Sequence, residues 1–192
     1  MDKLIYTALA FVVGIWIWME YFREIPHLEQ QGVLNNFKVE TIEPRQIKVT
    51  VLDQQFVRPN RRTIHPASPV VYGFEDLAYV SNIDVLLSDS TLPSLQGRIK
   101  FDDHKRCFAV EGTIDAKQQD WLQQHVQQLS LIAANKAVTK TMRRLKAGQK
   151  VTLIGDLVTV HSAKTQAVYR VGRGSEYAAQ CRLFRLNKII QH

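Results

Sequence analysis

The sequence predicts a single N-terminal transmembrane helix followed by a soluble α+β domain that is mainly antiparallel β with one or two helices. Residues 4–21 read LIYTALAFVVGIWIWMEY, and a bilayer-spanning helix needs roughly 20 apolar residues. Many later segments alternate apolar and polar residues with period two, as half-buried strands do. In the last third, Gly155 interrupts an apolar strand pattern, which is typical of a bulge in a coiled strand. Together these patterns favour a small OB-like barrel over residues 97–190.

The apolar run predicts an anchor that stays attached. A cleaved signal peptide has a shorter apolar stretch that ends in small residues, whereas this run is followed by the bulky or charged residues 19–23 (MEYFR). Trp16, Trp18 and Tyr21 are typical of the aromatic belt at a membrane interface. We therefore expect an anchor at residues 1–24, a neck at 25–36 and one soluble domain at 37–192.

The residues that flank the apolar run favour one orientation. Lys3 lies before the run and Arg23 lies after it, so the positive-inside rule is nearly balanced. A very short N-terminal tail usually stays in the cytoplasm. The sequence thus predicts a single-pass protein of a bacterial inner membrane, with its N-terminus inside and most of the chain in the periplasm.

In the first half of the domain the sequence predicts strands more often than helices. The segments predicted as strands are 37–40, 46–52 and 70–74, with a proline-rich loop at 58–69 between the last two. Residues 75–88 have a partly helical spacing of apolar positions. Residues 97–101 and 107–112 form a predicted hairpin that turns at 102–105.

The second half combines two capped helices with strands. Asp115 with Gln118 three residues later is a capping-box pattern, and the apolar positions after it predict a helix that reaches Leu129. Asn135 is placed to cap a second short helix. The predicted strands are 150–161, 166–171 and 180–190.

One stretch resembles a known family. Residues 146–158 read KAGQKVTLIGDLV, an Ala-Asn pair precedes them at 134–135, Asp-Leu-Ala stands at 76–78, and Cys181 lies near the C-terminus. These features are similar to a family of short bacterial single-pass membrane proteins of unassigned function with a C-terminal OB-like domain. The family's Gly-Trp-Gly after Asp-Leu-Ala is absent, and Arg182 stands where the family has an acidic residue. The resemblance implies a domain type and no activity.

Charge is distributed unevenly. The chain has 25 Lys and Arg against 18 Asp and Glu, a net charge of +7. From residue 136 onward there are twelve basic residues and only two acidic ones, so the C-terminal part predicts an anionic partner. The alternative is that these charges only solvate the outer face of strands. The candidate surface for an anionic partner consists of Arg143, Arg144, Arg170, Arg173, Arg182 and Arg185.

The two cysteines, Cys107 and Cys181, leave three alternatives. They could form a disulfide that closes a long loop, or stay as buried free thiols. With His104 and His161 they could also form a two-Cys two-His metal site, although the spacing is poor for one. We predict neither a metal nor a cofactor.

The function predicted is non-catalytic. The sequence contains no nucleophile-elbow, P-loop or His-Glu-x-x-His motif. The leading hypothesis is a structural or interaction subunit of a cell-envelope complex, with other membrane or periplasmic proteins and the lipid bilayer as partners. The alternative is a membrane-tethered OB-fold nucleic-acid-binding protein, because Tyr169, Tyr177 and Phe184 interleave with the arginines as stacking platforms would.

Overall fold

A computed structural model describes residues 2–21, 25–28, 33–34, 37–58, 77–91, 95, 97–162 and 168–192. Within these residues the protein is an α+β domain with mainly strands and three helices. The helices are α1 (Asp2–Tyr21), α2 (Ala116–His125) and α3 (Lys136–Arg143). The strands are β1 (Val33–Leu34), β2 (Phe37–Phe56), β3 (Ile83–Ser88), β4 (Ile99–Asp102), β5 (Cys107–Val110), β6 (Val126–Ala133), β7 (Lys150–Ser162), β8 (Val168–Tyr169) and β9 (Cys181–Gln191).

Five strands pair in a closed ring. In the described residues the order is β2, β3, β6, β9, β7, and β2 pairs with β7 again to close it. All these pairs are antiparallel except β6 with β9, which is parallel. Residues Val138 and Met142 of α3, the helix between β6 and β7, belong to the core inside the ring. A ring of five strands with a helix is the architecture of small barrels such as the OB-fold.

The long strand β2 makes this closure possible. Its first part, Phe37 to Thr50, pairs with β7, and its last part, Thr50 to Phe56, pairs with β3. The sequence predicts two separate strands here, 37–40 and 46–52, from their period-two alternation. The structure keeps one strand, with the pairing register shifted between Thr41 and Glu43. Two of the five ring strands, β2 and β3, therefore lie before residue 97.

Strand β3 is buried on both faces. Val85 and Leu87 point into the barrel core, whereas Leu86 belongs to a second core outside the ring. That second core is covered by the β4–β5 hairpin and by Leu122 of α2. A strand buried on both faces has no alternation of apolar and polar residues, so the helical prediction for 75–88 is wrong; the chain forms a 3-10 turn at Leu77–Tyr79 and then β3.

Helix α2 begins as predicted and ends earlier. Asp115 accepts a hydrogen bond from the Gln118 amide, the Gln118 side chain bonds back to the Asp115 amide, and the predicted capping box is confirmed. The helix ends at His125, and Val126 begins β6. The prediction of a helix to Leu129 is wrong because residues 126–133 pair with β3 on one side and β9 on the other.

The predicted membrane helix is the main correction. A spanning helix needs about 20 mainly apolar residues. Among the residues that the structure describes, no helix is both long and apolar enough to cross a membrane. The predictions of a transmembrane anchor at residues 1–24, of a single-pass protein and of an inner-membrane location with a periplasmic bulk are therefore wrong.

Some predictions concern parts that the structure does not describe. The strand predicted at 70–74 and nearly all of the loop predicted at 58–69 lie outside the described residues. Trp16, Trp18 and Tyr21 lie in α1, but their side chains are also outside the described part.

Candidate anion-binding groove

A wide groove lies at the end of the barrel where β6 and β9 begin. Its volume is about 1630 Å³. One wall comes from β2 between residues 42 and 49, and the floor includes residues 157–159 of β7. The opposite wall comes from the end of α2, from residues 168–173 and from residues 178–183. The groove therefore lies where β9 begins and where the long β2–β7 pair extends past it.

Basic side chains outnumber acidic ones along this groove. Five Lys and Arg residues line it, namely Arg45, Lys48, Arg170, Arg173 and Arg182, and all five are exposed. The carboxylates in the lining are Glu43 and Asp89. Arg45 Nε donates to Glu43 Oε1 at 2.7 Å, and His125 Nδ1 lies 2.8 Å from Asp89 Oδ1. Both acidic groups thus already have partners within the groove.

The other four cations have no acidic partner in the described residues. Lys48, Arg170 and Arg173 make no ion pair there, and Arg182 Nε donates to a neutral acceptor, the Ala179 carbonyl, at 3.0 Å. Cations that share one concave surface raise its positive potential and attract anions. The groove is therefore suited to bind a negatively charged ligand.

Contacts with the β4–β5 hairpin hold the segment that carries Arg170, Arg173 and Arg182. Cys181 forms a disulfide with Cys107, and the two Cα atoms are 5.4 Å apart. The Gly172 amide donates to the Lys105 carbonyl at 2.7 Å. The Tyr177 ring stacks on Phe108 with 4.5 Å between ring centroids. Burial, with the Glu176 carboxylate as a smaller cause, raises the pKa of Tyr177 above its ordinary value.

The structure brings together half of the basic residues that the sequence singled out. Arg170, Arg173 and Arg182 line the groove, whereas Arg185 donates to Asp156 Oδ2 at 2.8 Å. Arg143 and Arg144, at the end of α3, do not line it. Sequence reasoning missed Arg45 and Lys48, because they lie before residue 136, in the part of the chain without a basic excess. Only the pairing of β2 with β7 places them in the groove.

The three aromatic residues expected to stack on bases are buried. Tyr169 is 9% exposed, Tyr177 4% and Phe184 0%. Phe184 belongs to the barrel core, and the two tyrosines belong to the outer core. Their rings pack inside the protein and offer no stacking surface.

The disulfide removes the metal alternative for the cysteines. Both sulfur atoms are bonded to each other, so neither can act as a thiolate ligand beside His104 and His161. In the part of the chain that the structure describes, no group of three or more His, Cys, Asp or Glu residues could hold a metal ion.

A second polar cluster lies inside the protein and was not predicted. Arg106, in the turn between β4 and β5, and Asp84, in β3, are both fully buried and form an ion pair. Gln128 Nε2 lies 3.5 Å from the same carboxylate. The residues are far apart in sequence and are joined only by the packing of the hairpin on the barrel, so no local pattern indicates the cluster.

Comparisons of the chain with protein-family models, with curated proteins and with solved structures gave no match. The class of protein is therefore defined by its own fold and groove: a small β-barrel with a basic groove at one end.

Proposed function

We propose that this protein is a non-catalytic interaction domain that binds an acidic partner in its groove. The observation that carries the proposal is the convergence of Lys48, Arg170, Arg173 and Arg182 on one concave surface, where both carboxylates are already engaged. These cations come from two distant parts of the chain, and the barrel places them along the same groove. Complementary charge steers association and selects partners.

Part of the groove is held rigidly by contacts with the hairpin, and this favours a binding role for the groove. The Cys107–Cys181 disulfide, the Gly172 to Lys105 hydrogen bond and the stacked Tyr177 fix the segment that bears three of the cations. A binding surface held in its bound geometry loses less conformational entropy when the partner arrives. The groove is therefore built as a preorganised surface.

The test uses a fluorescent poly-glutamate peptide of about twelve residues and the full chain. Fluorescence anisotropy measures its affinity at several salt concentrations, and we expect the affinity to fall as salt screens the charges. The groove variant combines Arg170→Glu, Arg173→Glu and Arg182→Glu. Each exposed charge contact contributes about 0.5–1 kcal/mol, so the loss of three contacts costs about 1.5–3 kcal/mol and should weaken binding at least about tenfold.

The control variant carries the same charge change elsewhere. Arg144→Glu, Lys146→Glu and Lys188→Glu are exposed and lie outside the groove. They should change the affinity by less than about threefold, since distant exposed charges are screened. Equal losses in the two variants would show that only net charge matters, and an unchanged groove variant would exclude the groove as the binding surface. Circular dichroism checks that both variants are folded.

A further inference from the structure

We infer that the groove takes an extended acidic segment of another protein in which apolar residues are interspersed among the acids. This inference rests on the proposed function of the same groove and specifies its partner. Three features of the described groove lead to it: exposed apolar side chains among the cations, strand-shaped walls, and the absence of an exposed aromatic ring.

Two apolar side chains stand exposed in the basic lining. Ile42 is 62% exposed and Val168 is 44% exposed, and both line the groove. Covering such side chains removes apolar surface from water, which is favourable. A purely acidic ligand has nothing to place against them, whereas a segment with both acidic and apolar residues can contact the cations and the apolar pair together.

The position of Ile42 in the barrel supports a recognition role. The register of β2 against β7 shifts between Thr41 and Glu43, so Ile42 has no partner residue in β7. An extra residue in one strand is a β-bulge, and bulges often redirect a side chain at a functional surface. Here the redirected side chain is an exposed isoleucine in a basic groove.

The walls suit an extended chain. Residues 42–49 of β2 form one wall, and eight residues of a strand span about 25 Å. About eight residues of an extended segment cover the same length. Each wall carries cations and one exposed apolar side chain, so a segment in which acids and apolar residues are interspersed could contact both kinds of group on either side.

A nucleic acid fits the same groove less well. Single-strand binding proteins combine a basic groove with exposed aromatic rings on which bases stack. Among the described lining residues, the only Phe, Tyr or Trp is Tyr169, which is buried. Phosphates could contact the cations, but the bases would find no exposed Phe, Tyr or Trp ring to stack on.

The experiment compares three labelled probes of similar negative charge against the full chain. They are a peptide of about twelve residues that alternates Glu and Leu, a peptide of equal length that alternates Glu and Ser, and an oligo-dT of about seven nucleotides. We expect the Glu-Leu peptide to bind at least about fivefold more tightly than the Glu-Ser peptide, and oligo-dT to bind more weakly than the Glu-Leu peptide.

Two variants test the apolar contact directly. Ile42→Ser combined with Val168→Ser should remove the advantage of the Glu-Leu peptide and leave the Glu-Ser affinity unchanged. Ile190→Ser, at an exposed apolar residue outside the groove, should preserve that advantage.

The outcomes separate this inference from the proposed function. Equal affinities of the two peptides overturn the apolar component while the acidic-partner function stands. Tighter binding of oligo-dT than of either peptide overturns the protein partner in favour of a nucleic acid. If none of the three probes binds, both the inference and the proposed function are wrong.

Discussion

Arg106 and Asp84 form an ion pair in which both side chains are completely excluded from water. The guanidinium donates to both oxygens of the carboxylate, and its Nη1 also donates to the Ser81 carbonyl at 2.9 Å. Arg106 adopts a left-handed backbone conformation with φ of 48°, which is unusual for a residue other than glycine. The pair fastens the turn of the β4–β5 hairpin to strand β3 of the barrel.

Replacing one partner of this pair should be strongly destabilising. Asp84→Ala leaves the Arg106 guanidinium buried without a counter-charge, and we expect the free energy of unfolding to fall by about 3–5 kcal/mol. Urea denaturation measures the loss. Glu40→Ala, which breaks the exposed contact with Lys38, is the control and should cost less than about 1 kcal/mol. If Asp84→Ala lowers the free energy of unfolding by less than the control does, the buried pair is not needed for stability.

Local sequence signals predicted local structure correctly. The caps at Asp115 and Asn135 are present as expected, because each depends on a side chain and amides within three residues. The β4–β5 hairpin is likewise present, with its turn at residues 103–106. Gly155 lies at a register shift of β7 against β9, so the predicted bulge is confirmed.

Features that depend on distant residues could not be predicted. The spacing of Trp121, Leu122, Val126 and Leu129 fits a helix, but pairing with β3 and β9 turns the second half into a strand. Lys48 and Arg170 share a groove only because β2, β7 and the segment before β9 meet in the barrel. No spacing in the sequence carries that information, since it arises from the closure of the ring.

The disulfide should contribute strongly to stability. Cys107 and Cys181 are 74 residues apart. Closing a loop of that length lowers the entropy of the unfolded chain, which raises the free energy of unfolding by about 4 kcal/mol. The double variant Cys107→Ser and Cys181→Ser should lose stability of that order in urea denaturation. A thiol reductant should lower the unfolding midpoint of the wild type and leave the double variant unchanged. An unchanged wild-type midpoint in reductant would contradict a stabilising role for the bond.

Gly155 has no room for a side chain. A Cβ atom there would lie 2.0 Å from the Arg185 carbonyl oxygen and 2.7 Å from the Phe184 ring. Because backbone must move to relieve this overlap, Gly155→Ala should lower the free energy of unfolding by about 3 kcal/mol. Gly97→Ala is the matched control: its φ of 83° is strained for alanine, but nothing lies within 4 Å. Its cost should be about 1 kcal/mol. Equal costs in thermal or urea unfolding would exclude the close contact as the cause.

Tyr177 should make the protein less stable at alkaline pH. Burial raises its pKa in the folded protein above the ordinary value of about 10, and the nearby Glu176 carboxylate adds to the effect. As the pH rises past about 10, the unfolded chain loses this proton first, so the folded state binds more protons and its stability falls.

The variant Tyr177→Phe has no phenolic proton to lose. The difference in melting temperature between wild type and Tyr177→Phe should therefore shift in favour of the variant between about pH 8 and about pH 11. All other titrating groups are common to both proteins and cancel in this comparison. A difference that stays constant over that range would mean that Tyr177 titrates alike in the folded and unfolded chains, against the burial of its ring on Phe108.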